Sequence, residues 1–390
     1  MFRYLLLVGI FSLVACESEK NQPIILPALH IQADTILWKE PQPARIAIID
    51  QNDEQILAAK VHYRGGSSSK YHKHSYALKL DEPFSLANLP AAKSFILNAS
   101  YIDKTLMRHA LSFQLYRDMH QQNISPKCSF AELYENEDYK GLYVIMQRIN
   151  AGLLNIKKNE GAALWKEPLL FYTTPPEEFD QENKHSQKYP SLKELNYTSY
   201  VDSLGEWITQ SNDSDFQNKA CLVFDCDNLI DWHLLLLLSN NSDGQLKNFY
   251  LYRVHKDSAL RVAIWDYDHS FGRDGDGELN MLSSLIDEKR NPLLRRLSEL
   301  NVDGFNEKTQ MRYAELRRNQ IFSEKHIHQR IEELHAQVEP YITKNTERWP
   351  HDADWYFDDM TFSQEVQLIK DYLKLRLPML DERFGFSDKN

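Results

Sequence analysis

The chain has 390 residues, 42% of them hydrophobic and 26% charged, with a formal net charge of −11. That length and apolar content suffice for a large buried core and one or two domains. An acidic balance with no compensating basic stripe excludes a nucleic-acid partner.

The N-terminus reads as an export signal. Arg3 supplies a positive start, and residues 4–15 are apolar but shorter than the roughly 20 residues a spanning helix needs. The segment ends in Leu13-Val14-Ala15-Cys16, the pattern of a bacterial lipobox, in which the Cys thiol receives lipid. An ordinary secretory peptide with a chance cysteine explains these residues less well, because Cys16 stands where cleavage would fall. Residues 1–15 are therefore expected to be a signal peptide, and 16–23 a lipidated N-terminus and short tether. Diacyl and N-acyl chains together anchor stably where one chain would not. The apolar run at 234–238 is too short to span and reads as buried. Besides Cys16 there are Cys128, Cys221 and Cys226. Cys221 and Cys226 suit either pairing in an oxidising compartment or plain burial. No Cys-x-x-Cys or Cys/His zinc spacing occurs.

Residues 24–80 read as strands, with short β-branched runs at 44–49 and 60–64 bounded by turn residues. Tyr63-Arg64-Gly65-Gly66-Ser67-Ser68-Ser69-Lys70 is a turn whose backbone N–H groups and hydroxyls could cradle phosphate. In the next strand Tyr76, Leu78 and Leu80 alternate with Ala77 and Lys79, so Lys79 faces away from the aliphatic side, as a phosphate-binding lysine would. A hairpin with a solvent-facing Lys fits as well. The segment matches neither the Walker A pattern nor Gly-x-Gly-x-x-Gly. A strand follows at 95–98. A helix is expected over 103–119, capped by Asp103, with Arg108 able to reach phosphate or a structural carboxylate. Residues 131–148 read as a hairpin whose second strand leads past Gln147 into a nucleotide hinge. Residues 157–211 are expected to form loops and one helix, a position where acceptor specificity often sits.

Two segments carry the chemistry. In Asn241-Ser242-Asp243-Gly244-Gln245-Leu246-Lys247-Asn248 an Asp precedes an Asn by five residues. In Trp265-Asp266-Tyr267-Asp268-His269-Ser270-Phe271-Gly272 two carboxylates precede Ser-Phe-Gly. Kinase-type phosphoryl transfer needs this order. One Asp orients the acceptor hydroxyl, a downstream Asn holds metal, and a later Asp holds the metal that bridges the nucleotide phosphates. Neither motif alone is specific, but together and about one hairpin apart they justify the hypothesis. His62, His72 and His74 read as polar surface more readily than as a metal site. Residues 273–278 resemble half a calcium loop but lack its Gly and Glu, and so read as an acidic turn. No Gly-x-Ser-x-Gly elbow occurs.

The C-terminal third reads as helical. Ile327, Ile331, Leu334, Val338 and Ile342 form one stripe, with Ser323 as N-cap and Pro340 as a kink or end. Thr361-Phe362-Ser363-Gln364 is a capping box ahead of Val366, Ile369 and Leu373.

Taken in order, these segments resemble the CotH kinase family, named for spore coat protein H, whose members have an atypical, secreted protein-kinase-like fold. The resemblance runs from Ile24 to Phe384. It rests on Arg64-Gly65-Gly66-Ser67-Ser68, the lysine strand from Lys73 to Leu80, Asp103 to Arg108, the hairpin from Glu137 to Tyr143, and the two segments above. The resemblance implies Asp243 as the catalytic Asp, Asp266 and Asn248 as metal ligands with Asp268 as a further one, and Lys79 as the phosphate contact. It also implies a nucleotide site drawing on Arg64, Gly65, Ser67, Ser68, Arg108 and Gln147. ATP with Mg²⁺ or Mn²⁺ suits that oxygen-rich set. Two departures stand out. Gln147 occupies a position where an acidic residue is expected, and the 103–119 helix offers no Glu to pair with Lys79.

The expected fold is α+β, an atypical protein-kinase-like two-lobed arrangement. A β-rich lobe would span 24–150, a mainly helical lobe 151–384, and a tail 385–390. The expected function is ATP-dependent phosphorylation of Ser or Thr on a secreted or surface protein, by an enzyme lipid-anchored in the bacterial cell envelope outside the cytoplasm. Two rivals remain: a pseudokinase serving as a surface scaffold, and an AMP transferase using the same metal site with the nucleotide reversed.

Overall fold

Seven consecutive strands build the N-terminal part, the later ones buried on both faces. The computed structural model describes residues 24–51, 53–157, 161–171, 180, 182–273, 281–282, 284–350 and 360–387. Cys16, the 274–278 part of the acidic turn and the Ser67 side chain lie outside the described part.

The strands are β1 (Ala28–Gln32), β2 (Gln42–Asp50), β3 (Asp53–Arg64), β4 (Ser75–Phe84), β5 (Ala92–Asn98), β6 (Cys128–Glu135) and β7 (Asp138–Gln147). They close into a barrel in the order β1-β2-β3-β4-β5-β7-β6. The closing pair, β1 with β6, is parallel, Leu29 lying opposite Leu133. On β4, Tyr76, Leu78 and Leu80 fill the barrel with Val61, Phe95 and Leu97. Ala77 and Ile96 point the other way, into a larger core shared with the helices. The β6–β7 turn uses Asn136 and Glu137, with φ of 48° and 68°. A two-residue turn with both centres left-handed matches the twist of the strands it joins.

A second sheet follows: β8 (Ala163–Lys166), β9 (Gln187–Tyr189), β10 (Phe249–Arg253) and β11 (Arg261–Ile264), in the order β11-β10-β8-β9. The described part of the 157–211 segment thus holds two short strands besides its helix, where loops and one helix were expected. β8 becomes a strand by pairing with β10, some 85 residues on, a partner that local patterning does not reveal.

The helices are α1 (Arg108–Met119), α2 (Thr198–Gln210), α3 (Asp213–Val223), α4 (Cys226–Ser239), α5 (Pro292–Glu299), α6 (Phe305–Arg318), α7 (Glu324–Arg348) and α8 (Phe362–Phe384). The chain is therefore α+β, with a β-rich N-terminal region and a helical C-terminal region. α4 buries almost its whole circumference, including Leu234 through Leu238. A disulfide joins Cys221 and Cys226 across the α3–α4 junction. Cys128 is free, and burial pushes its thiol up to about 12. Ser323 caps α7, and Thr361 with Gln364 forms the capping box of α8.

Two helix boundaries differ from expectation. α1 begins at Arg108, not Asp103, because Asp103 folds a preceding turn instead. Its carboxylate accepts from the Thr105 N–H (3.1 Å), the Thr105 hydroxyl (2.6 Å) and the Arg108 N–H (2.9 Å). α7 continues past Pro340, so that residue does not end the helix; it sits on the solvent face, where water can take the freed carbonyl.

Candidate active site

The acidic segments meet where α4 ends and the β10–β11 hairpin closes. Asn240 terminates α4 in the left-handed region, φ 56°. Asn241, fully buried, accepts from the Gly244 N–H at 2.9 Å and so fixes the short turn that carries Asp243. Gly244 is required there, since a Cβ would stand 2.6 Å from Leu236. Asn291 donates to the Gln245 carbonyl at 2.6 Å and holds the far side of the turn. Asp243 pairs with Lys247 at 2.9 Å, one helical step on. Asn248 and Asp266 flank the hairpin, and the Trp265 N–H donates to the Asn248 carbonyl at 3.0 Å. Both residues lie in the left-handed region, φ 62° and 59°. Asn and Asp tolerate that region best among residues with a side chain.

The loop after Asp266 is tied down from three sides. Arg108 donates from Nε to the Ser270 carbonyl at 2.9 Å, Ser270 donates to the Tyr267 carbonyl at 2.6 Å, and the Phe271 N–H donates to the Ser239 carbonyl at 2.8 Å.

Asp243, Asn248, Asp266 and Asp268 all line one cavity of about 340 Å³. Across it stands the Gly-Ser turn, contributing Arg64, Gly65 and Ser68. Gly65 has φ 138°, and a Cβ there would fall 2.2 Å from the Ser68 hydroxyl, so the turn demands glycine. The carboxylates and the phosphate turn, read from segments some 180 residues apart, thus face each other over one cleft.

Three expected nucleotide contacts are placed elsewhere. Lys79 lies on the same outer face of β4 as Ser75, which lines the cleft, but four residues further on. That is about 13 Å of strand, farther than a lysine reaches. Alternation gave its face correctly and its position along the strand not at all. The lysines that line the cleft are Lys73, Lys166 and Lys247. Arg108 is fully buried, and its guanidinium is held by Asp103 (2.7 Å) and Glu365 (3.0 Å). It serves as the structural cation that Asp103 and Glu365 require, not as a phosphate contact. Gln147 spends its side-chain oxygen on the Lys127 N–H at 3.0 Å.

His109 is the residue that sequence patterning missed. Its ring and the Asp266 and Asp268 carboxylates bring ligand atoms within 4.8 Å of one another. Its Nδ1 accepts from the Tyr267 N–H at 3.1 Å, so a neutral ring carries its proton on Nε2. That Nε2–H faces the Asp266 carboxylate at 3.5 Å. The 3.1 Å approach of the Asn98 amide nitrogen to the same atom is then not a hydrogen bond. A ring so protonated steadies Asp266 and leaves metal to oxygen: Asp266, Asp268 and the Asn248 amide. Hard divalent cations such as Mg²⁺ fit that donor set. His109 left no signal in the sequence beyond its place at the start of α1.

A family model described as CotH kinase protein matches residues 61–380. Inner spore coat protein H of Bacillus subtilis (strain 168) is 23% identical over 362 residues, covering 90% of this chain and 92% of that protein.

Proposed function

The chain belongs to the CotH kinase family, and from that premise we propose that it is a metal-dependent protein kinase acting outside the cytoplasm. It transfers the γ-phosphoryl group of ATP to Ser or Thr of a secreted or surface protein. The observation that carries this reading is the convergence of Asp243, Asn248, Asp266 and Asp268 on one cleft opposite the Arg64–Gly65–Ser68 turn. The barrel acts as the smaller lobe of a kinase-like pair and the helical region as the larger.

Asp243 orients the acceptor hydroxyl and takes its proton as the oxygen bonds the γ-phosphorus. The bond from that phosphorus to the β-phosphate oxygen breaks, and ADP leaves. A divalent cation held by Asp266, Asp268 and Asn248 would neutralise the phosphate charge. Arg64 offers a cationic donor from the opposite wall, Lys166 one from the strand paired with β10, and the backbone of the Gly65 turn offers N–H groups. Asp243 reaches this task already paired with Lys247, a lysine positioned to follow the charge that develops on the transferred group.

The export reading supports a location outside the cytoplasm, with Cys16 carrying lipid. The Cys221–Cys226 disulfide suits an oxidising compartment, and the relative is by name a coat protein. A second reading, AMP transfer with the nucleotide reversed, is favoured by one observation: a cationic chamber adjoins the cleft and shares Arg64 and Lys166 with it.

The test is intact-mass spectrometry of the chain lacking residues 1–16 with ATP and Mg²⁺ or Mn²⁺, alone and with candidate secreted proteins. A phosphate-sized gain is expected, reduced about 10²–10⁴-fold in rate by Asp243→Ala and abolished by Asp266→Ala. Absence of any gain together with absence of nucleotide binding would instead support a scaffold.

A further inference from the structure

Beside the acidic cleft lies a second chamber of about 280 Å³, of opposite character. Arg64, Arg148, Lys166 and Lys188 line it, with the aromatic faces of Tyr250 and Trp265 among its walls. No carboxylate lines it among the described residues. The four cations come from four separate elements: the end of β3, the segment after β7, the end of β8, and β9. Folding therefore gathers them from across some 125 residues in a chain whose net charge is −11.

Their mutual influence is felt. Burial and then the charges of Lys166 and Arg148 hold the Lys188 amine below its usual range, against the weaker opposing charges of Glu167 and Asp180. Burial and then Arg148 and Arg64 do the same to His62 at the chamber wall. Of the four, Lys166 has a carboxylate partner, Glu167 at 3.4 Å. Arg64 lies over the Trp265 ring, 5.8 Å from its centroid. Like charges assembled in a concavity repel one another and focus a positive potential, an arrangement that a bound anion relieves. A neutral base alone would leave that repulsion in place.

Arg64 and Lys166 line both the chamber and the acidic cleft. The two spaces therefore adjoin, with these two cations between them.

We propose that this chamber is a phosphate subsite, separate from the metal-bound end of the cleft, that takes the phosphate groups of a phosphate-bearing ligand. Two sources share that chemistry. One is the far end of the donor nucleotide itself. The acceptor oxygen then bonds the α-phosphorus, the bond from α-phosphorus to the β-phosphate oxygen breaks, pyrophosphate leaves with the electron pair, and the hydroxyl proton passes to Asp243. The other is a second phosphate-bearing molecule bound beside a conventionally oriented nucleotide. Only the first source rests on the transfer chemistry proposed above.

The test is calorimetric titration of the chain lacking residues 1–16 with inorganic pyrophosphate in the presence of a chelator. Binding is expected, weakened about tenfold or more in the double variant Arg148→Gln/Lys188→Gln and retained in Asp266→Ala. Both substituted side chains are solvent-reachable, and an unchanged melting temperature would certify the fold. Absence of binding, or binding indifferent to the double variant, would overturn the subsite. Retention in Asp266→Ala separates this result from any failure of catalysis. An AMP-sized mass gain that the double variant loses would assign the first source. Pyrophosphate and a non-hydrolysable nucleotide bound together would assign the second.

Discussion

Lys73 is the most consequential single side chain not predicted to serve the site. It is buried, donating to the Leu142 carbonyl at 2.6 Å and to Asn345 at 3.1 Å, with the Tyr143 ring 4.6 Å away. Burial lowers its amine to about 7, against about 10.4 in an unfolded chain. Between roughly pH 7 and 10 the unfolded chain therefore holds a proton that the folded chain lacks, and stability rises with pH across that window. Below pH 7 both states are protonated and the slope vanishes. Denaturant unfolding at pH 7, 8 and 9 is expected to show a gain of at most about 1.4 kcal/mol per pH unit, and Lys73→Met is expected to flatten it. An equal slope in the variant would deny the lysine its role. At this scale the sequence was legible where chemistry and spacing lie within one segment, as with Asp243 and Asn248. It was illegible for the lysines, because which of Lys73, Lys79, Lys166 and Lys247 reaches the cleft is decided by tertiary placement that no local pattern announces.

Helices α1 and α8 are joined by charge. Arg108 on α1 bonds Glu365 on α8, Glu365 also pairs with Arg273, and Asp103 completes the group. All four are nearly excluded from solvent. Removing one member strands buried charge, so Arg108→Met is expected to cost about 3–5 kcal/mol of stability, read as a shift in the denaturant midpoint. Because the same guanidinium holds the Ser270 carbonyl, the metal binding proposed for Asp266 is expected to weaken even where the variant still folds. A variant with unchanged midpoint and metal affinity would show the cluster to be idle. The elements themselves were partly visible beforehand. Caps announced α7 and α8, since Ser323 and Thr361 satisfy donors within their own first turn. Asp103 misled for the same reason: an Asp before an apolar run reads as a cap, whereas here it closes a turn that positions Arg108. Pro340 does not end α7, because solvent on one side of a long helix relieves the lost hydrogen bond.

For the molecule as a whole, strands were legible and their closure was not. β1 and β6 lie about 100 residues apart, and nothing in either run announces a parallel partner. The family match begins at residue 61, inside β3, so β1 and β2 lie outside the matched residues. If Cys16 carries lipid, Cys16→Ser should move the protein from the membrane fraction to the aqueous fraction of cells lysed without detergent, with the folded body unchanged. Persistence in the membrane fraction would remove the anchor. Such a tether would make β1 a mechanical element. It is laddered to β2 on one side and β6 on the other, and the Leu26 N–H just before it donates to Tyr341 of α7 at 2.8 Å. Tension drawn along β1 loads both ladders in shear, so that many rungs must fail together. A single strand at an open edge would peel one rung at a time. A protein held at a surface by its first residues would thus carry drag and collision through the strand best placed to resist them, leaving the cleft undistorted.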